Sequence, residues 1–156
     1  MKNNVTRYLD QRKIDYQVFD LPSEKLSAEE TALLLGKPLD IIFKTIVIKR
    51  EAHGKNILAV VPGTGDVDLK ALAKAVGEKK VTLASHDEAE QLTRLQVGGI
   101  SPLALLNRGF QVVIDVSALN QERIHVSGGE RGMNISLPVK DLLKITNAHT
   151  APIVRK

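Results

Sequence analysis

The sequence predicts a single α+β domain built on a mixed β-sheet, and three observations lead there. The chain is 156 residues long, room for one domain and little else. Short β-branched runs alternate with short capped segments of helical period, so both element types are present. Their order lacks strict β-α-β alternation, which favours a mixed arrangement over a doubly wound parallel sheet. No repeat, low-complexity tract or linker divides the sequence, so residues 1–156 read as one unit with a core over about 3–145 and a loose tail after Thr146.

Taken in order, Val5, Tyr8 and Leu9 stand at helical spacing within Asn3 to Arg12, with Asn3 or Asn4 as a cap. Asp15 to Phe19 is a short extended stretch. Ser27-Ala28-Glu29-Glu30 reads as a capping box opening a helix from Ala28 to Leu35, stopped by Gly36 and Pro38. Ile41 to Lys49 and Ile57 to Val61 are strands, the first apolar on both faces like a covered central strand. Arg50 to Asn56 joins them as a polar hairpin connection containing Gly54. Asp68 caps a helix carrying Leu69, Leu72, Ala73 and Val76, ended by Gly77. Lys80 to Ala84 is a strand, and Ser85-His86-Asp87-Glu88 opens a helix to about Leu92. Gln96 to Leu106 is irregular. Gln111 to Val116, Arg123 to Ser127 and Met133 to Leu137 are strands, and Pro138 stands at the first position of a helix over Val139 to Lys144.

Composition removes several classes of function. There is no cysteine, hence no disulfide, thiolate metal site or cysteine nucleophile. No apolar run approaches the ~20 residues that span a bilayer, and no apolar segment follows the first charges as in a secretory signal. A cytoplasmic location without membrane association is expected. Two tyrosines, three phenylalanines and no tryptophan are too few for a platform that stacks successive bases. A net charge of +4 is compatible with a polyanion gripped by its phosphates and its end.

Three places can carry chemistry. Lys44 sits in Phe43-Lys44-Thr45, inside an otherwise apolar strand. It must reach an edge, pair with an acid or line a cavity. It is either an edge lysine that guards the sheet or a cation held for a carbonyl, phosphate or carboxylate. In Gly98-Gly99-Ile100-Ser101-Pro102, adjacent glycines permit close backbone approach, and successive amides can serve as an oxyanion hole. A plain structural turn is the alternative. In Ser127-Gly128-Gly129-Glu130-Arg131-Gly132, Arg131 can hold an anion, or the segment is simply a hairpin loop. Neither Ser101 nor Ser127 lies in a nucleophile elbow. His53, His86, His125 and His149 form no metal-ligand pair and read as surface or satisfied structural residues; no metal or cofactor is expected.

The three motifs, in this order and over nearly the whole chain from the first helix to Leu143, resemble the YbaK/ProX family of aminoacyl-tRNA editing domains. The resemblance implies a curved mixed sheet with peripheral helices. It implies hydrolysis of the ester joining a wrong amino acid, cysteine or alanine, to the 3′-end of tRNA for proline. Lys44 would be the main functional residue, at the terminal adenosine or the substrate carbonyl, and Gly98, Gly99, Ile100 and Ser101 would supply backbone donors. Thr45 and Pro102 would border the substrate. Ser127, Gly128, Arg131 and Asp141 would support the pocket. The implied partners are aminoacyl-tRNA and prolyl-tRNA synthetase, with no part for DNA. Two departures from cysteine-clearing members stand out. Thr93-Arg94-Leu95 replaces Thr-Gly-Tyr, and Leu21 replaces a tyrosine; both changes are expected to border the pocket. A non-catalytic tRNA-end-binding module and a small-molecule amino-acid ester hydrolase are the competing readings.

Overall fold

The computed structural model describes residues 2–51 and 54–155; Met1, Ala52, His53 and Lys156 lie outside the described residues. The chain begins with α1 (Asn4–Gln11), where the Asn3 side chain accepts from the Thr6 amide and the Thr6 hydroxyl accepts from the Asn3 amide. β1 (Gln17–Asp20), α2 (Ala28–Leu35), β2 (Phe43–Arg50) and β3 (Asn56–Pro62) follow. Then come α3 (Leu69–Ala75), β4 (Val81–Leu83), α4 (His86–Thr93), β5 (Phe110–Asp115) and β6 (Arg123–Ser127). The chain closes with β7 (Met133–Pro138), α5 (Val139–Thr146) and β8 (His149–Ala151). The capping boxes at Ser27 and Ser85 form as their spacing predicts, and each satisfies helix donors that would otherwise lack partners.

Where one curved sheet is expected, there are two. Five strands are ordered β4-β2-β3-β5-β8 and three are ordered β1-β7-β6. β2 pairs antiparallel with β3 and β4, whereas β3–β5 and β5–β8 are parallel. A single parallel bridge, Ile42 to His125, joins the two sheets. The division lets apolar faces meet: Val126 and Ile135 of the small sheet share a core with Leu58 and Val60 of the large one. The opposite face of the large sheet buries Ile48, Ala59 and Val113 beneath Leu72 of α3. β3 is buried along nearly its whole length, so its apolar run serves both cores.

Three local expectations are corrected. The C-terminal segment is ordered: β8 pairs with β5, Ile153 is fully buried, and its amide donates to buried Asp115 at 3.0 Å. Its short sequence hides this because the contacts are made with residues far along the chain. Pro138 is the cap of α5 and the last residue of β7, in extended conformation. α5 continues to Thr146 because Asn147 takes the left-handed conformation that closes it, at φ 53°. Within the irregular stretch, Pro102–Ala104 forms one 3-10 turn.

Candidate functional site

β4 covers only Ile48 to Arg50 of β2, so the opposite end of that strand keeps an open outer edge. A cavity of about 290 Å³ lies against this edge. Its walls come from Phe43 to Ile46, the loop around Gly98, the end of the β6–β7 hairpin, and the segment entering α2. Of the residues singled out in the sequence, Lys44, Thr45, Gly98, Ile100 and Ser127 line it together.

Lys44 combines two of the fates open to a lysine in an apolar strand: it lines the cavity and pairs with an acid. Its Nζ donates to Asp66 Oδ1 at 3.1 Å, and its side chain is 31% exposed. This hydrogen bond, reinforced by the charge of Lys44, holds the Asp66 carboxyl below its ordinary value.

The two glycine-rich loops press against each other. A Cβ at Gly99 would stand 2.8 Å from the Glu130 backbone, so only glycine fits between them. Arg131 Nε donates to Val97 O at 2.8 Å and ties the contact. Arg131 therefore braces the cavity wall and is absent from its lining. The Gly99 amide is spent on Gln96 O at 2.8 Å, which removes it as an oxyanion donor. Among the described residues, the amides of Gly98 and Ile100 donate to no protein acceptor, and both residues line the cavity.

The remaining sites lie elsewhere. Ser101 is fully buried and its hydroxyl accepts from the Leu103 amide, so it starts the 3-10 turn rather than facing the cavity. Gly128 is packed on the Met133 side chain. Asp141 stands in the first turn of α5, outside the cavity lining. Pro102 lines a second cavity of about 600 Å³ at the other end of β2, together with Arg50 and His149. Leu21 does border the first cavity. Thr93-Arg94-Leu95 does not: Thr93 is buried, bonding Ala89 O and the Leu95 amide.

Sequence reasoning misses the α2 contribution, Glu29 and Thr31, and Asn134 of β7. Asn134 is buried and its Oδ1 stands 2.8 Å from His125 Nδ1. Burial pushes the His125 imidazole below its ordinary value, which favours the neutral ring. No chemical motif marks Glu29, Thr31 and Asn134, because one helix and one strand distant in sequence bring them to the cavity. Among the described residues, no group of three histidine or acidic side chains is placed to hold a metal ion, and no helix is long and apolar enough to cross a membrane.

The architecture of the domain agrees with what comparison with known proteins finds. The sequence model of the aminoacyl-tRNA editing domain matches residues 23–145. An Enterococcus faecalis protein that carries the name of a Cys-tRNA(Pro)/Cys-tRNA(Cys) deacylase, EbsC, is 36% identical over 99% of this chain and 94% of its own. The prolyl-tRNA editing protein ProX of Acetoanaerobium sticklandii is 26% identical over 95% of this chain and 92% of its own. A solved structure described as a trans-editing enzyme for prolyl-tRNA synthetase superposes with a TM-score of 0.83 at 24% identity, both chains fully covered, and supports the fold. The chain belongs to the aminoacyl-tRNA editing domain family. Its activity class is that of the aminoacyl-tRNA deacylases, hydrolases that act on mischarged tRNA.

Proposed function

We propose that this protein is a trans-editing enzyme that clears cysteine or alanine from tRNA for proline, in the cytoplasm and alongside prolyl-tRNA synthetase. The observation that carries the reading is the pairing of Lys44 with the unspent amides of Gly98 and Ile100 around one small cavity. At about 290 Å³ the cavity lies at the low end of ligand pockets, which run from about 300 to 1,000 Å³. That size suits a small aminoacyl group with part of the terminal ribose.

The ester is already activated, so positioning and charge stabilisation suffice. Water adds to the ester carbonyl, and the developing oxyanion is met by the two amides and the Lys44 ammonium. The carbon–oxygen bond to the ribose then breaks, and the water's proton goes to the ribose oxygen. Free amino acid and an uncharged tRNA end leave. Ser101 supports no covalent route, because its hydroxyl is buried in the turn. The Lys25 backbone and the Arg131 side chain both come against Gly98, and these two residues are our candidate contacts for the phosphates of the acceptor end. Editing is needed because a proline-sized synthetic site rejects a smaller acid by only about 1–3 kcal/mol per missing methylene.

The test is deacylation of Cys-, Ala-, Ser- and Pro-tRNA for proline by the wild type and by Lys44→Ala. Release of a small non-proline acid, reduced at least about 100-fold in the variant, is expected. Absence of release with tRNA still bound would leave a binding module, and hydrolysis of amino-acid esters lacking RNA would leave a small-molecule hydrolase.

A further inference from the structure

We propose that Asp66 is the positioning residue for Lys44, and that the C-terminal residues 153–155 belong to the frame of the active site. The inference rests on the reading of Lys44 as the catalytic cation. A lysine carries its charge on a flexible four-carbon stem, so its use at a fixed point requires something to hold the head group. Among the described residues, Asp66 is the hydrogen-bond partner of Lys44 Nζ, at 3.1 Å, and it stands outside the cavity lining. It therefore holds the ammonium from outside the cavity lining and leaves its other protons without a protein partner among the described residues.

Asp66 is 68% exposed, and a carboxylate so solvated holds a cation in place only if its own backbone is fixed. That fixing comes from the chain terminus. The Arg155 amide donates to Asp66 O at 2.8 Å, and Arg155 Nη2 stands 3.7 Å from Asp66 Oδ2. Val67 bridges Val154, and the Asp68 amide donates to Ile153 O at 2.7 Å. Ile153 is itself fully buried and bonded to Asp115 of β5. A continuous set of bonds thus runs from the end of β5 in the large sheet, through the C-terminal segment, to Asp66 and Lys44. Gly65 completes the junction: a Cβ there would meet Val154 at 2.4 Å.

The experiment uses the full chain and whichever aminoacyl-tRNA the wild type clears, with Asp66→Asn, Asp66→Glu, Arg155→Gln and Lys44→Ala compared. For Asp66→Asn, kcat is expected to fall about tenfold while KM stays within about twofold, since positioning is lost and tRNA binding is kept. Asp66→Glu restores part of kcat, and Arg155→Gln shows a smaller loss of the same kind. In lysine-15N-labelled protein, the order parameter of the Lys44 ammonium falls in Asp66→Asn while the melting temperature holds. Full kcat in Asp66→Asn beside an inactive Lys44→Ala overturns the inference and leaves the active-site reading intact. So does a kcat loss with an unchanged Lys44 order parameter or with a lost folding transition. An active Lys44→Ala overturns the active-site reading itself, and this inference with it.

Discussion

The two cavities lie at opposite ends of β2, and the one we propose as the working site is the smaller. The cavity of about 600 Å³ is bordered by Arg50, whose guanidinium is already occupied. It donates to Lys55 O, to Val76 O and, at 2.7 Å, to Gln111 Oε1, and stands 3.8 Å from Glu78. That arginine clips the β2–β3 hairpin to the end of α3 and to β5. The smaller cavity is bordered by Lys44, held by one exposed acid, and by two backbone amides without protein acceptors among the described residues. What separates the two is the state of the cation each holds: Arg50 has spent its donors on the protein, whereas Lys44 has one acid partner. A cation that has spent its donors on the protein stabilises the protein; one that has not can stabilise a ligand or a transition state.

The sharpest test of this contrast sets two variants side by side. Lys44→Ala is expected to remove at least about 100-fold of deacylation with an unchanged urea midpoint, as for loss of a transition-state contact. Arg50→Met is expected to do the reverse. It should lower stability by about 2–3 kcal/mol, the worth of hydrogen bonds to a buried charged group, while the folded fraction keeps its kcat. Equal losses of activity in both would dissolve the distinction between the cavities.

A smaller effect tests the interlocked loops. Gly99→Ala places a methyl group against the Glu130 backbone, which cannot yield as a flexible side chain would. Spreading the loops should cost about 1–3 kcal/mol in overpacking. Deacylation should fall with it, because the Ile100 amide moves with the loop. Gly128→Ala meets only the buried Met133 side chain, which is flexible where the Glu130 backbone is not, and should cost less. Urea unfolding and single-turnover deacylation of both variants check the order.

The contrast between these regions also shows what the sequence makes legible. Helix starts were readable because a cap is local: Ser27 with Glu30 and Ser85 with Glu88 lie three residues apart. The β2–β3 hairpin was readable from two apolar runs joined by a polar stretch. Lys44 stood out for the same local reason, as a charge inside such a run. The loop around Gly98 borders the smaller cavity, yet the tasks inside it are divided otherwise than expected: Gly99 is there for loop contact, Ser101 for the turn, and Pro102 faces the other cavity. The ordered C-terminus, the split into two sheets, and the arrival of Thr31 and Asn134 at the cavity all depend on partners far apart in the chain. Nothing in the spacing of neighbours encodes them. Asp66 belongs to this second group, since the role we propose for it follows from residues 153–155, in a segment expected to be loose.

The smallest expected effect concerns the residue that most clearly departs from the cysteine-clearing pattern. Arg94 closes α4 with φ +61°, the left-handed region that a side chain enters at a cost and glycine enters freely. The glycine of the Thr-Gly-Tyr pattern would stand at this position, so the departure bears on helix termination and lies away from the cavity lining. Arg94→Gly is therefore expected to raise stability by about 0.5–1 kcal/mol, read as a higher urea midpoint at unchanged slope. The amino-acid preference in deacylation should not move with it. Leu21→Tyr, by contrast, changes a residue that borders the cavity and should shift the ratio of cysteine to alanine released. A change of preference in Arg94→Gly with none in Leu21→Tyr would mean that the α4 terminus, and not the cavity wall, selects the substrate.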